Sequence, residues 1–470
     1  MNFPWAFFMD LGVISLALLM ATLLRARINF FQRYLIPNSL AAGFILLFFY
    51  NFGAKYFGMS SDMLGSMVYH LLSISYIAMT LRKATIPKQK GDLGIFSTAV
   101  ANISQYAIQL LLGLLLTFFF IITIFPDLFP AFGMFVMLGF SQGPGQAYAI
   151  GQNWESFGFQ GAGSVGLTFA AVGFLWACFG GIWLINYGIK HNWIAKDKLD
   201  KIKKRKGSTG VYPENKELPV GSRLTTETEA IDSMTYTASM VLLVYFLSFL
   251  LLKLLTYFLS FAGKTGMELA ANLWSISFVF AAVTALAFKG MLKLFNLQYT
   301  LDSGSLTRLS GISVDMMVAG SIGAISLVIV AQYWIPISIM CFLAGLVMLV
   351  TLPWLCSRLF KDHRFERTMM LFGAATGTMP TGLALLRVLD PDFETPVATD
   401  YMFAAAVTFP IVIPLILAIN LPAYSYRYDN PLYFWAMVGI ALIYLLFVLI
   451  SFRLIAKKRT FKNPSKIWLE

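Results

Sequence analysis

The stretch GFSQGPGQAYAIGQ, residues 139–152, places four glycines, one proline and three glutamines inside an otherwise apolar region. The apolar run FGMFVML precedes it, and VGLTFAAVGFLWACFGGIWLI follows it. Proline and glycine disfavour a continuous helix. Non-helical backbone is tolerated at membrane depth only where protein buries it or where it lines a wet cavity. The stretch therefore predicts a broken element inside a membrane protein.

Composition predicts the fold class around this element. The chain has 470 residues, of which 58% are hydrophobic and 12% are charged, whereas soluble domains carry roughly 25% charged residues. A bilayer core about 30 Å thick needs about 20 helical residues to cross. Apolar runs of this length predict an all-α polytopic membrane protein with spans at about 3–24, 36–58, 64–81, 95–125, 160–188, 234–260, 270–294, 310–332, 335–357, 398–420 and 432–454.

The distribution of basic residues predicts the topology. With the N-terminus outside, lysines and arginines fall in loops on the inner side, as the positive-inside rule requires. This holds when segments 131–153 and 368–388 do not cross, or when another miscounted span balances each of them. The simpler interpretation is that both are re-entrant hairpins. A multi-pass protein of the cell (inner) membrane with a cytoplasmic C-terminus is expected. The basic inner residues are Arg25, Arg27, Arg33, Arg82, Lys83, Lys88, Lys90, Arg308, Arg358, Lys361, Arg364, Arg367, Lys457, Lys458, Arg459, Lys462 and Lys466.

Two halves of the chain share one layout. Residues 1–188 form five spans with a hairpin between the fourth and the fifth, and residues 234–420 repeat this order. Because five is odd, the second half enters from the opposite side, which predicts an inverted repeat of the kind common in secondary transporters. Residues 189–233 form a basic cytoplasmic linker, and residues 421–470 add an eleventh helix and a basic tail.

The second hairpin contains GAATGTMPTG, residues 373–382, whose glycines and proline break the helix and whose threonines offer hydroxyls. A broken helix exposes N–H groups that favour an anion and C=O groups that, with hydroxyls, suit a hard cation such as Na⁺. The paired hairpins predict a substrate site made of Ser141, Gln142, Gly143, Gly145, Gln146, Tyr148, Thr376, Gly377, Thr378 and Thr381. A break that serves only helix packing is the alternative for each hairpin.

Ionisable residues inside spans are candidates for function. Asp315 could coordinate Na⁺ together with Thr378 or carry a proton, or it could be a carboxylate near the interface. Arg387 could clamp a substrate carboxylate or extend to the cytoplasmic interface. Asp400 is interpreted as a first-turn carboxylate that complements the helix dipole.

Enzyme motifs are absent from the sequence. It has no GxxxxGK[ST] phosphate loop and no HExxH zinc motif, and its three cysteines lack metal-ligand spacing. No enzymatic activity and no organic cofactor are expected. The net charge of +12 is attributed to inner loops that meet anionic membrane lipid, not to nucleic acid.

The layout resembles the bacterial glutamate:sodium symporter family over about residues 5–420. The resemblance rests on SQGPGQAYAIGQ with GSVGLTFAAVGFLWACFGG behind it, on GAATGTMPTGLALL, and on the early RYLIPNSLAAGFILL. It implies Na⁺-coupled uptake of glutamate by a homodimer that works as an elevator. Pro144 and Gln146 depart from the family pattern, so a related small carboxylate stays open. A citrate-type 2-hydroxycarboxylate carrier and, in another class, an ion channel are the alternatives.

Overall fold

The computed structural model describes residues 5–83, 93–194, 220–390 and 395–469, and over these ranges the chain is helical with no strand. The first half contains α1 (Ala6–Arg27), α2 (Asn29–Arg33), α3 (Asn38–Phe48), α4 (Asp62–Leu81), α5 (Gly94–Thr123), α6 (Met134–Met137), α7 (Pro144–Glu155), α8 (Ala162–Leu175) and α9 (Gly181–Lys190). The second half contains α10 (Ser233–Ser260), α11 (Gly263–Ser275), α12 (Ser277–Leu294), α13 (Ser303–Gly323), α14 (Leu327–Gln332), α15 (Trp334–Leu359), α16 (Arg364–Ala375), α17 (Met379–Leu389), α18 (Val397–Leu417), α19 (Leu421–Arg427) and α20 (Leu432–Ala456).

Ten helices in the described ranges are long and apolar enough to cross a bilayer. The prediction of an all-α polytopic membrane protein is therefore confirmed. Lys88, Lys90 and most of the predicted linker lie outside the described residues. The ten helices are Ala6–Arg27, Asn38–Phe57, Asp62–Leu81, Gly94–Thr123, Ala162–Lys190, Ser233–Ser260, Ser277–Leu294, Trp334–Leu359, Val397–Arg427 and Leu432–Arg459.

The predicted span 310–332 is wrong as one continuous helix. The chain forms α13, which starts earlier and is more polar than the ten spans, and then breaks at residues 324–326 before α14. Neighbouring side chains satisfy the broken backbone: Asn51 Nδ2 donates to the Ile325 carbonyl at 2.9 Å, and the Ser326 N–H donates to Ser164 Oγ at 3.0 Å. Such partners allow an irregular backbone inside a membrane protein. The predicted span 270–294 is likewise divided, into α11 and α12.

The two halves pack against each other in a reciprocal pattern. The third helices of each half, α4 and α13, pack together, and so do the fourth helices, α5 and α15. The second helix of the first half, α3, packs on α13, while α12 of the second half packs on α4. In the same way, α18 of the second half packs on α5 of the first half, and α15 of the second half packs on α8 of the first half. Each half therefore completes the core of the other.

Both predicted hairpins fold back on themselves. Hairpin 1 is residues 134–155, and the rings of Phe135 and Trp154 in its two arms lie 5.0 Å apart. Hairpin 2 is residues 364–389, and a Cβ on Gly373 would lie 2.7 Å from the Gly382 Cα in the opposite arm. The arms of hairpin 2 have 12 and 11 residues, so at 1.5 Å per residue each reaches about 18 Å, roughly half of a bilayer core. Neither arm can cross alone.

Candidate functional site

The tips of the two hairpins meet. Ser141 Oγ, near the break of hairpin 1, lies 3.1 Å from the Ala375 carbonyl oxygen at the end of α16 and 2.7 Å from Gln109 Oε1 of α5. Gln109 Nε2 donates to the same Ala375 carbonyl at 2.8 Å. The last carbonyls of a helix lack partners within the helix. Here one of them is satisfied by donors from the other half of the chain.

The break of hairpin 1 depends on a glycine. Gly143 has φ 89° and ψ 174°, a backbone conformation that is essentially restricted to glycine. A Cβ on Gly143 would lie 3.4 Å from Thr378 Cγ2 at the break of hairpin 2. The helix α7 then starts with Pro144, whose missing N–H costs nothing at a first-turn position. The breaks of the two hairpins are thus in direct contact.

The break of hairpin 2 is stabilised by its own threonines. Thr376 Oγ1 donates to the Phe372 carbonyl at 2.7 Å. The Thr378 N–H donates to Thr381 Oγ1 at 2.9 Å, and the Thr381 hydroxyl lies 2.7 Å from the Gly373 carbonyl. These bonds join the end of α16 to the start of α17. Gly377 is buried here, where a Cβ would lie 2.6 Å from Thr381 Oγ1.

A cavity of about 190 Å³ opens beside this break. Thr378 and Thr381 line it from hairpin 2, Asp315 lines it from α13, and Arg25 lines it from α1. Asp315 is exposed, whereas Ser39 at the cavity wall is buried and lies beside its carboxylate. The other lining residues are Leu35, Pro37, Phe174, Val314, Val318, Pro380 and Ala384.

The cavity combines opposite charges with hydroxyls. An arginine can hold a carboxylate through two parallel N–H bonds, and the start of α17 adds a helix dipole that favours an anion. An aspartate beside hydroxyl oxygens can accept an ammonium group or a hard cation. No cluster of three or more histidine, cysteine, aspartate or glutamate residues occurs among the described residues.

Of the predicted substrate-site residues, only Thr378 and Thr381 line the cavity. Four of the others have their own surroundings outside it. Gly145 is packed between helices, since a Cβ there would lie 2.9 Å from both Leu72 Cδ1 and Met317 Sδ. Gln146 Nε2 donates to the Tyr76 hydroxyl at 2.9 Å. Tyr148 fills the space beside the small residues of α4 and α8. Arg387 is exposed in the last turn of α17, nine residues after Thr378 and so about 13 Å along the helix.

Gln142 is different from these four. Its amide nitrogen Nε2 is buried at the break of hairpin 1 and makes no hydrogen bond. An unsatisfied buried amide costs free energy, so this position can gain from a ligand that accepts a hydrogen bond. Gln142 therefore stays a candidate binding residue.

Three residues of the site are not predicted from the sequence. Gln109 joins both hairpins, and Arg25 and Ser39 line the cavity. A signal for Gln109 exists, because Asn102, Gln105 and Gln109 follow helical spacing and so share a face of an otherwise apolar helix. No such pattern marks Arg25, because in the sequence it looks like an ordinary basic residue at the inner end of a span.

Two arginines predicted in solvated inner loops are instead buried. Arg358 is 0% exposed and Arg367 is 1% exposed. Arg367 Nη2 lies 2.7 Å from Asp400 Oδ2 in α18, and its guanidinium lies over the Phe360 ring. Asp400, at 3% exposed, is thus the buried partner of Arg367 as well as a first-turn residue. This ion pair joins the base of hairpin 2 to α18.

No protein-family model and no curated protein sequence matches this chain.

Proposed function

We propose that this protein is a secondary active transporter that couples Na⁺ to the uptake of glutamate or a related small carboxylate. The observation that carries the proposal is the cavity at the broken helix of hairpin 2, where Arg25 and Asp315 supply opposite charges and Thr378 and Thr381 supply hydroxyls. Discontinuous helices near the centre of the bilayer are the usual sites of substrates and coupling ions in secondary transporters. The protein acts on its cargo by binding and movement, not by chemistry.

Reciprocal packing supports an inverted repeat. A two-fold axis in the membrane plane would pair the packing of α3 on α13 with a packing of α12 on α4, and both helix pairs are in contact. With α13 crossing as well, the chain spans the inner membrane eleven times, with the N-terminus outside and the C-terminus in the cytoplasm. Alternating access then moves the hairpin-bearing part against the rest, as in an elevator, within a homodimer surrounded by lipid.

The cavity charges favour an amino acid over a citrate-type hydroxy acid. An α-amino acid carries one ammonium and one carboxylate on the same carbon, which complements Asp315 on α13 and Arg25 on α1. A citrate-type anion would place only negative groups beside Asp315, and like charges at short range repel. Na⁺ is proposed at the oxygens of Asp315 and Thr378, beside the cargo. A continuous pore is the alternative, since opposed half-helices also build channels.

The proposal is tested by uptake into proteoliposomes. The purified protein is reconstituted, and an inward Na⁺ gradient is imposed with K⁺ or choline as the control cation. We expect labelled glutamate, or another small amino acid from the same panel, to accumulate above its external concentration only with Na⁺. Downhill flux that saturates with neither cargo nor Na⁺ would indicate a channel, and uptake of citrate in preference to every amino acid would favour the carrier alternative.

A further inference from the structure

The C-terminal segment 457–469 folds back onto the end of α15. The guanidinium of Arg358 is 0% exposed, and its Nη2 donates to the carbonyls of Asn463 at 2.8 Å and Lys466 at 2.9 Å. Trp354 Nε1 donates to the Pro464 carbonyl at 2.9 Å. A buried cation needs partners to offset its desolvation, and here backbone carbonyls of the tail supply them. The tail is therefore an ordered part of the protein.

The same segment reaches the base of hairpin 2. Arg364 Nη1, in the first turn of α16, donates to the Leu469 carbonyl at 2.8 Å. The rings of Trp468 and Trp193, which follows α9, are stacked with their centroids 4.8 Å apart. Phe365 packs its ring edge against Trp468 at 5.9 Å. The tail thus connects the ends of α9 and α15 with hairpin 2.

The outer face of the tail is basic and partly apolar. Residues 457–469 carry five basic residues and no acidic residue. Lys457, Lys458, Lys462 and Lys466 are exposed, and the Phe461 side chain is 61% exposed. The segment begins in the last turn of the candidate membrane span Leu432–Arg459, so this face is expected at the bilayer surface. Basic residues with an aromatic side chain at that depth match anionic headgroups above acyl chains.

We propose that segment 457–469 is a binding surface for anionic phospholipid headgroups, and that lipid bound there stabilises the base of hairpin 2 through Arg358, Arg364 and Trp468. The surface does not depend on the nature of the cargo. The test measures lipid binding and thermal stability and does not measure transport. A negative result is therefore distinct from a failure of the transport proposal.

The test is a titration of the purified full-length protein in detergent with phosphatidylglycerol, with phosphatidylcholine as the neutral lipid. The readout is the lipid concentration that gives half of the maximal rise in Tm. The variant carries Lys457→Gln, Lys458→Gln, Lys462→Gln and Lys466→Gln. The control carries the same charge change at four exposed lysines elsewhere, Lys55→Gln, Lys83→Gln, Lys190→Gln and Lys293→Gln.

Within one basic cluster, each basic residue near an anionic surface changes the binding constant by about fivefold. The four control lysines come from four different segments, so they are not expected to act on one headgroup site. We expect the half-maximal phosphatidylglycerol concentration to rise by at least tenfold in the tail variant and by less than twofold in the control. If the fourfold variant does not fold, the double variants Lys457→Gln/Lys458→Gln and Lys462→Gln/Lys466→Gln are each expected to raise it at least threefold. Equal effects of the tail and control variants, or equal effects of the two lipids, would overturn the proposal.

Discussion

Ser141 and Ala375 are 234 residues apart in the chain, and the Ser141 hydroxyl lies 3.1 Å from the Ala375 carbonyl oxygen. The contact joins the break of hairpin 1 to the last turn before the break of hairpin 2. Gln109 reinforces it by donating to the same carbonyl. The two interrupted segments therefore form one structural unit, whose arrangement is held by a few polar bonds.

Replacement of Gln109 by leucine is expected to loosen this unit. The buried Ala375 carbonyl would lose a donor, and Ser141 would lose an acceptor, at a cost of about 1–2 kcal/mol. Equilibrium unfolding in mixed micelles measures this loss. Gln152→Leu is the control, since Gln152 is exposed and should change the free energy of unfolding by less than about 0.5 kcal/mol. Equal losses in both variants would contradict a special role for Gln109.

Removal of the two cavity charges is expected to affect the binding of amino acids and of hydroxy acids differently. Asp315→Asn should weaken binding of an amino acid by about tenfold or more, because it removes a charge-assisted bond to the ammonium group. It should leave a hydroxy acid of the same size unaffected or better bound. Arg25→Gln should weaken both classes, since both carry a carboxylate. Ligand-dependent shifts in Tm measure the binding.

Asp127→Asn is the control for the cavity charges, because this exposed carboxylate lies in the turn after α5. Its binding should match that of the unchanged protein. A loss of hydroxy-acid and amino-acid binding of equal size in Asp315→Asn would contradict the assignment of Asp315 to the ammonium group. It would favour Asp315 as a ligand of the coupling ion alone.

Breaking the buried ion pair at the base of hairpin 2 is expected to be costly. Arg367→Leu removes the guanidinium that lies 2.7 Å from the Asp400 carboxylate, and loss of one member of a buried ion pair costs about 3–5 kcal/mol. The double variant Arg367→Leu/Asp400→Leu should regain most of this loss, because it removes both desolvated charges. The half-exposed pair Arg427–Glu268 is the matched control, and Arg427→Leu should cost no more than about 1 kcal/mol. A double variant as unstable as the single one would refute the pairing.

Helix α13, which carries Asp315, is capped by Asp302. Partial burial opposes ionisation of Asp302, but the hydrogen bonds donated by the N–H groups of Ser305 and Arg223 outweigh it and lower the pKa of this carboxyl. Because its pKa is lower in the folded state, its stabilising effect is full above about pH 5 and is lost as the pH falls below about 4. Asp302→Ala should cost about 1 kcal/mol at pH 7, and the cost should fall as the pH is lowered toward 3.

Thermal unfolding from pH 3 to pH 7 checks this prediction. Asp127→Ala, at an exposed turn carboxylate, is the control and should change the free energy of unfolding at pH 7 by less than about 0.5 kcal/mol. A cost of Asp302→Ala that stays constant over this range would show that the carboxylate charge contributes nothing to the cap.

Much of the fold follows from local patterns in the sequence. Long apolar runs place the spans, and glycine with proline places both hairpin breaks, because these residues act on the backbone at their own positions. The break at residues 324–326 was not predicted. No proline marks it, and the side chains that satisfy it, Asn51 and Ser164, belong to distant helices. The burial of Arg358 and Arg367 was missed for the same reason.

Hydropathy and helix breaking are local properties, so the residues alone indicate a helical membrane protein with two interrupted segments. The groups that these segments meet become visible only in the folded chain. Folding places Ser141 and Gln109 on the Ala375 carbonyl, brings Arg25 and Asp315 to the same cavity, and leaves Arg387 outside it. A side chain's partner depends on how separate helices pack, and the spacing of residues along the chain does not specify that packing.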